Sequence, residues 1–163
     1  MKTEAILDKY DRTIRGLVGN VDPISFEILP NGDYQHEAWV TVGDAIPDKK
    51  NVNWDWCLGH YRLKFGKDIV ATWKLYQLPH CCAICVSCNA FVEPKWRGKR
   101  LGTTLNSLRQ DIARGLGYSL LMCTDITKNE HQRKLLATQG WKDLYQVLNR
   151  RTRNTVVISV INI

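Results

Sequence analysis

The chain has 163 residues and a mass of 18.8 kDa, which is the size of one domain. Hydrophobic residues make up 44% and charged residues 24%, and this balance excludes a disordered or fibrous chain. The formal net charge of +7 favours an anionic partner, such as nucleic acid, a lipid surface or a phosphorylated small molecule. We therefore expect a single domain over residues 1–163.

The sequence predicts neither a secretory signal nor a membrane-spanning helix in its two candidate segments. The first fifteen residues carry seven charges and no apolar run, unlike a secretory signal. The longest stretch without acidic or basic residues, 75–92, is interrupted by Pro79 and by polar residues, unlike a membrane span. We therefore expect a cytoplasmic protein with no membrane partner, in which the six cysteines are reduced thiols.

The positive charge is concentrated in the second half of the chain. Residues 95–153 contain thirteen Lys and Arg against four Asp and Glu, whereas the rest of the chain has a balance of −2. An anionic partner is therefore expected to contact the second half.

The first half predicts a helix followed by strands. A helix is indicated by apolar residues at helical spacing, with a stop at Gly16 and Gly19. Strands are predicted at 24–29 and 34–42 around a turn at 30–33, then at 69–76 and 81–92 around Pro79. Residues 43–60 show no clear period and are predicted as a loop. The helical residues are Ile6, Leu7, Tyr10, Ile14 and Leu17.

The second half predicts a β-α-β-α-β order. A helix that ends at Gly115 and Gly117 is indicated by five apolar residues on one face, Leu101, Leu105, Leu108, Ile112 and Leu116. A strand at 118–124 follows, then a helix preceded by Asn129 with Leu135 and Leu136 inward and a stop at Gly140. The last strand is predicted at 155–163. This order indicates an α/β fold with a central sheet covered by helices.

A glycine-containing basic turn joins the strand that ends at Val92 to the helix that follows. The free N–H groups at the start of that helix and its dipole form an anion site. Gly98 and Gly102 would let a phosphate approach the main chain closely. The turn has neither the Lys-Ser/Thr of a Walker A loop nor a G-x-G-x-x-G pattern, and a plain solvated turn fits the same residues.

The basic turn is part of a longer sequence pattern that includes the elements after it. Val92-x-Pro94-x-x-Arg97-Gly98-x-x-x-Gly102, followed by a helix, a strand, an asparagine and Gly-Trp, resembles the GNAT superfamily of N-acetyltransferases. The resemblance covers residues 81–144, and the first 68 residues match only loosely. It implies a GNAT-like mixed central sheet flanked by helices. The small and unusual N-terminal half suggests a bacteriophage-encoded type.

The resemblance implies a site for acetyl-CoA. In the family, main-chain N–H groups of this turn bind the pyrophosphate, and the preceding strand splays from its neighbour and pairs with the pantetheine arm. An asparagine lies beside the cofactor at the position of Asn129, which with Gln132 also has the pattern of a helix N-cap and capping box. Arg100 replaces the first glycine of the family's turn. The implied cofactor residues are Phe91, Val92, Arg97, Gly98, Lys99, Arg100, Leu101, Gly102, Thr103 and Asn129.

Acetyl transfer also needs proton-transfer groups, because the attacking amine must be neutral and the departing thiolate often receives a proton. In the family a tyrosine seven residues after the asparagine supplies that proton, but here Leu136 occupies this position. Tyr145 and Cys123 are the candidate substitutes. His80, His36 and Glu37 are candidate bases, and His80 is preferred because the unperturbed pKa of histidine is about 6.5.

Two functions follow. The first is an acetyl-CoA-dependent N-acetyltransferase whose acceptor is a primary amine of a protein lysine or a small molecule. The second is a non-catalytic module of the same fold that binds nucleic acid or a host protein through its basic face, which includes Arg150, Arg151 and Arg153. No metal is expected, because Cys81, Cys85 and Cys88 would face different sides of a strand.

Overall fold

The computed structural model describes residues 3–19, 24–29 and 57–163. A short 3₁₀ helix, Pro94–Trp96, lies between the fourth strand and the second helix. The elements in chain order are α1 (Thr3–Val18), β1 (Ile24–Leu29), β2 (Cys57–Phe65), β3 (Asp68–Leu78), β4 (Cys81–Val92), α2 (Leu101–Gly115), β5 (Leu120–Ile126), α3 (Glu130–Thr138), β6 (Lys142–Leu148) and β7 (Thr155–Asn162).

The strands form one mixed sheet in the order β1-β2-β3-β4-β5-β7-β6. Neighbouring strands are antiparallel except for β4 and β5, which are parallel. The parallel pair arises because α2 forms the crossover connection that parallel neighbours require. The predicted α/β class with a central sheet and flanking helices is therefore confirmed.

The helices α1 and α2 pack together and cover the sheet. The Tyr10 hydroxyl of α1 donates a hydrogen bond of 2.9 Å to Asp111 of α2. The side chain of Arg109, also on α2, contacts Ser87 of β4. Helix α3 contacts the start of α2, since a Cβ added to Gly102 would lie 3.3 Å from a methyl group of Leu135. The largest fully buried side chains are Trp73, Tyr61, Ile6, Ile14, Leu63, Leu75, Leu101, Leu108, Ile112, Leu121, Val70 and Val157.

Most of the predicted elements that fall on described residues are present. The apolar faces of α1 and α2 are buried as their spacing indicates, and the predicted strand at 81–92 coincides with β4. Leu116 is an exception, because it lies one residue beyond the end of α2 and its side chain is 43% exposed. Leu136 is buried, whereas Leu135 is partly buried against the core.

Two strands are missing from the sequence prediction. Residues 57–60, predicted as part of a loop, begin β2, and β6 was not predicted. The predicted turn at 30–33, the predicted strand at 34–42 and residues 43–56 of the predicted loop lie outside the described residues. In the part of the chain described, no helix is both long enough and apolar enough to cross a bilayer.

Candidate cofactor cleft

The sheet opens between β4 and β5. These strands pair only from Ile84 with Leu120 to Ser87 with Cys123. Beyond that point β5 remains paired with β7, and β4 remains paired with β3 up to Val92. The two strands therefore form a split that is closed at Ser87 and Cys123 and open towards the C-terminal end of β4.

A bulge in β4 lies at the start of this split. Asn89 has a φ of 50°, and the β3–β4 register shifts between Thr72 and Lys74, opposite this residue. A bulge bends its strand and increases the local twist. It therefore directs the end of β4 away from β5 and leaves main-chain groups facing the opening.

The turn after β4 is held by contacts around Arg97. The Arg97 side chain donates from Nε to the carbonyl oxygen of Val92 over 2.8 Å, and its guanidinium lies 5.1 Å from the centre of the Phe91 ring. Gly98 has a φ of 78°, and Arg100 has a φ of 59° and a ψ of 10°. Arg100 thus retains the left-handed conformation that a glycine adopts without cost.

Helix α2 begins without a side-chain cap. Arg100 precedes the helix and makes no capping hydrogen bond, and the first turn carries no acidic residue. The first helical hydrogen bond that reaches this end joins the N–H of Thr104 to the carbonyl of Arg100 over 3.1 Å. The N–H groups of residues 101–103 therefore have no intrahelical acceptor, which is the arrangement that binds an anion.

A cleft of about 870 Å³ lies between this helix start, the end of β4 and α3. Its lining includes four Lys and Arg side chains, the imidazole of His131 and no Asp or Glu among the described residues. It also includes Thr72 and Trp73 of β3 and Ala90 of β4. The Lys and Arg side chains are Arg97, Arg100, Arg109 and Lys134.

Nine of the ten residues expected from sequence to bind the cofactor line this cleft. Lys99 is the exception, because its ammonium lies 4.8 Å from the centre of the Trp96 ring and the residue does not line the cleft. The nine are Phe91, Val92, Arg97, Gly98, Arg100, Leu101, Gly102, Thr103 and Asn129.

Asn129 both lines the cleft and caps α3. Its side-chain oxygen accepts from the N–H of Gln132 over 3.4 Å, and its amide donates to Asp125 over 3.1 Å. The Asn129 N–H donates to the carbonyl of Ile126, so the reciprocal contact of the predicted capping box is not made.

A smaller pocket of about 250 Å³ lies at the closed end of the split. Its walls include Ser87 and Asn89 of β4, Cys123 and Asp125 of β5, and Arg109 of α2. It shares Ala90, Arg109, Asn129 and Gln132 with the larger cleft. The two cavities are therefore adjacent.

Sequence reasoning did not identify Arg109 or Asp125. A signal for Arg109 was present, because it lies four residues after Leu105 and three before Ile112, on the apolar stripe of α2. A charged residue at such a position is buried only where the fold provides it with polar contacts. Asp125 has no comparable signal, because it lies near the end of an ordinary buried strand.

The predicted proton-transfer residues are not all at the cleft. His80 lies exposed in the turn between β3 and β4, and Tyr145 is 67% exposed on the edge strand β6. Neither residue lines the cleft or the smaller pocket, and their roles in proton transfer stay predictions from sequence. From Cys81, the residue after His80, β4 extends over roughly 20 Å to Ser87, where the split begins. His36 and Glu37 lie outside the described residues.

Cys123 does line the smaller pocket, and Leu136 does not. Burial raises the pKa of the Cys123 thiol to about 12, so the thiol is neutral and weakly acidic at neutral pH. Leu136 is 3% exposed and belongs to the core. Within the described ranges, no group of three or more His, Cys, Asp or Glu side chains could hold a metal ion.

Comparison with solved structures identifies the fold. An IAA acetyltransferase from Bacillus cereus superimposes with a TM-score of 0.66 at 14% identity, covering 86% of this chain and 100% of that chain. A GNAT family acetyltransferase from Elizabethkingia anophelis, solved with acetyl-CoA bound, gives 0.63 at 14% identity and covers 87% and 99%. The ribosomal-protein-S18-alanine N-acetyltransferase from Escherichia coli gives 0.59 at 16% identity and covers 86% and 94%.

These similarities show that the chain has the GNAT acetyltransferase fold, as the resemblance of its turn implied. No family model matches the chain, and no curated protein matches it in sequence. At identities this low the similarities show the fold alone.

Proposed function

We propose that this protein is an acetyl-CoA-dependent N-acetyltransferase that transfers an acetyl group to a primary amine of a protein or small molecule. The observation that carries the proposal is a split sheet beside an uncapped helix start, in a cleft whose described lining has four Lys and Arg side chains and no carboxylate. The fold supports the same reaction, since the similar structures are named as acetyltransferases and one has acetyl-CoA bound.

The cleft offers a different chemistry at each end. The N–H groups of residues 101–103, with Arg97 and Arg100, form a cationic cradle that suits the phosphates of coenzyme A. The main-chain groups of β4 beyond Ser87 are free to pair with the amides of a pantetheine arm. A main-chain N–H at this bulge is also placed to stabilise the oxyanion that forms when an amine attacks a thioester.

The acceptor amine is not specified by the residues described. A cytoplasmic location and a bacteriophage-encoded type stay predictions from sequence.

Calorimetry with coenzyme A and acetyl-CoA tests the proposal. We expect micromolar binding that weakens roughly tenfold, or about 1.4 kcal/mol, in Arg97→Gln and in Lys134→Gln, because each removes one positive charge from the cleft. Arg150→Gln is the matched control, since Arg150 lies between β6 and β7 and does not line the cleft. Absence of binding at micromolar coenzyme A would contradict the proposal.

Transfer itself is measured by the release of free coenzyme A in a panel of peptide lysines, free α-amines and polyamines. Mass spectrometry of the acceptor then locates the acetyl group. Turnover with any member of the panel is the expected outcome, and it identifies the class of acceptor.

The alternative from sequence is a non-catalytic module of the same fold. Burial of Leu136 in the core, where the family has a proton-donating tyrosine, favours this alternative. Binding of coenzyme A without transfer to any amine of the panel, together with binding to duplex DNA, would support it against the enzyme.

A further inference from the structure

The closed end of the split contains a buried cation that no described carboxylate neutralises. The Arg109 side chain reaches from α2 to the last paired residues of β4 and β5, and the residue is only 5% exposed. Among the described residues it takes part in no ion pair. A buried charge without a counterion is costly, which makes it a candidate functional group.

Neutral partners hold the guanidinium in place. Nη1 donates to the hydroxyl of Ser87 over 2.8 Å, and Nη2 donates to the side-chain oxygen of Asn106 over 2.5 Å. The amide of Asn106 bonds in turn to Gln139, which also donates to the carbonyl of Thr103 over 3.0 Å. This network connects Arg109 to the first turn of α2 and fixes its position before any ligand arrives.

Hydrogen-bonding capacity remains on the guanidinium. An arginine has five N–H donors, and the two contacts to Ser87 and Asn106 use one on each terminal nitrogen. The Nε of Arg109 is buried without a hydrogen-bond partner. Burial lowers the pKa of Arg109 to about 10, so it is still protonated at neutral pH.

Arg109 lies at the junction of the two cavities, where it lines both the larger cleft and the smaller pocket. It follows Thr103 by six residues, which places it about 9 Å further along the axis of α2. Thr103 and Arg109 line the same cleft, so a ligand that is held by its phosphates at the helix start and is long enough to extend along the split reaches Arg109. In coenzyme A that end carries the sulfur.

Other charged and titratable groups also face the smaller pocket. On β5 these are Cys123, a neutral thiol at neutral pH, and Asp125, which accepts hydrogen bonds from the N–H of Ile126 and from Asn129. Asp143 of β6 does not line the pocket but lies near Cys123, and it accepts from Ser159 over 2.8 Å and pairs with Arg133. None of these carboxylates comes within ion-pair distance of Arg109, and Arg109 is the only basic residue among the described residues that line this pocket.

We propose that Arg109 stabilises the negative charge that develops on the sulfur of coenzyme A when the thioester breaks. This role rests on the proposed function. It would replace the stabilisation of the thiolate by a tyrosine, because Leu136 occupies the position of that tyrosine in this chain. In the transfer step the amine nitrogen bonds to the carbonyl carbon, the C–S bond breaks and its electron pair leaves with the sulfur. The surplus proton of the amine passes to solvent, and the fixed charge of Arg109 offsets the charge of the thiolate.

The test uses the thiol of bound coenzyme A and needs no acceptor. The ultraviolet absorbance of the thiolate is followed against pH for the complex with coenzyme A, and the same titration with desulfo-coenzyme A subtracts the cysteines of the protein. We expect the pKa of the bound thiol to lie below that of free coenzyme A in the wild-type protein by about one unit or more, a tenfold effect.

Variants assign the effect to Arg109. Arg109→Met keeps the length of the side chain and removes its charge, and we expect the bound thiol to return to the pKa of free coenzyme A. Arg109→Lys keeps the charge without the planar fork, and we expect it to retain part of the shift. Arg114→Met is the matched control, because Arg114 is an exposed arginine of α2 that pairs with Asp111, and we expect the wild-type shift.

The outcomes are distinguishable. A purely structural Arg109 predicts a less stable Arg109→Met that binds coenzyme A with the wild-type thiol pKa, and this result would overturn the inference alone. Failure of the wild-type protein to bind coenzyme A would overturn the proposed function and the inference with it. Urea unfolding of Arg109→Met shows whether the variant is folded, and Arg109→Lys, which keeps a charged donor beside Ser87 and Asn106, supplies the comparison if Arg109→Met is unstable.

Discussion

At the residue scale, the turn before α2 places a residue other than glycine, Arg100, in the left-handed conformation. The turn pattern that this sequence resembles has a glycine at the position of Arg100, and Arg100 has a left-handed φ of 59°. A side chain in this conformation costs roughly 1–2 kcal/mol because its Cβ crowds the following carbonyl oxygen. This conformation of Arg100 lets the first N–H groups of α2 face the cleft. The strained residue also adds a positive charge to the lining of the cleft.

This strain can be measured in Arg100→Gly. We expect the free energy of unfolding to rise by about 1 kcal/mol, because glycine adopts the left-handed conformation freely. Urea unfolding followed by circular dichroism measures the change. Gln110→Gly is the control, since Gln110 lies partly exposed in the interior of α2, where glycine lowers stability by about 1 kcal/mol. Equal destabilisation of both variants would show that Arg100 is not strained.

At the scale of elements, α1 is joined to α2 through Asp111. Its carboxylate accepts hydrogen bonds from Tyr10 and Lys9 and forms an ion pair with Arg114 over 2.6 Å. Burial would raise the pKa of Asp111, but these hydrogen bonds outweigh it and lower the pKa. The contribution of Asp111 to stability is therefore present above the unfolded pKa, about 3.9, and is lost as the pH falls below it.

Asp111→Asn tests this link between the helices. The amide keeps an acceptor for the Tyr10 hydroxyl but has no charge to titrate. We expect the variant to be about 1 kcal/mol less stable at neutral pH, and this difference to shrink as the pH falls below about 4. Urea unfolding at a series of pH values measures it. For the control Asp8→Asn, on the exposed part of α1, the free energy of unfolding should follow the same dependence on pH as that of the wild-type protein.

The elements also differ in how well the sequence predicts them. In β2, buried Tyr61, Leu63 and Phe65 alternate with polar residues, so the sequence contains a period-2 signal for this strand. Strand β6 is exposed at every position because it is the edge of the sheet. An edge strand that buries neither face has no hydrophobic period, so sequence reasoning had no pattern with which to predict it.

At the scale of the whole molecule, the split in the sheet is the feature that creates the cleft. It exists because β4 stays with β3 and bulges at Asn89, whereas β5 stays with β7. Beyond Ser87, the edge of β4 that faces β5 is therefore unpaired, and it lies between two well-paired halves of one sheet. Local stability is expected to fall there and to be restored by a ligand that pairs with it.

Hydrogen exchange tests this property of the sheet. In the free protein we expect the amides of residues 84–87 to exchange slowly and those amides of residues 88–92 that do not pair with β3 to exchange fast. Coenzyme A should slow exchange at 88–92 by about tenfold or more, because the pantetheine amides supply the missing partners. Protection of 88–92 in the free protein would show that the split is closed in solution.

The sequence by itself determined the parts of this protein that depend on neighbouring residues. The stripe of Leu101, Leu105, Leu108 and Ile112 determined α2, and the basic turn before it predicts an anion site at the helix start, because helix geometry and dipole are local properties. Only the tertiary structure decided which side chains meet at the closed end of the split. Arg109, Ser87 and Cys123 come from three elements, and their meeting depends on strand order and register, which no local period encodes. The same long-range packing placed His80 and Tyr145 away from the cleft.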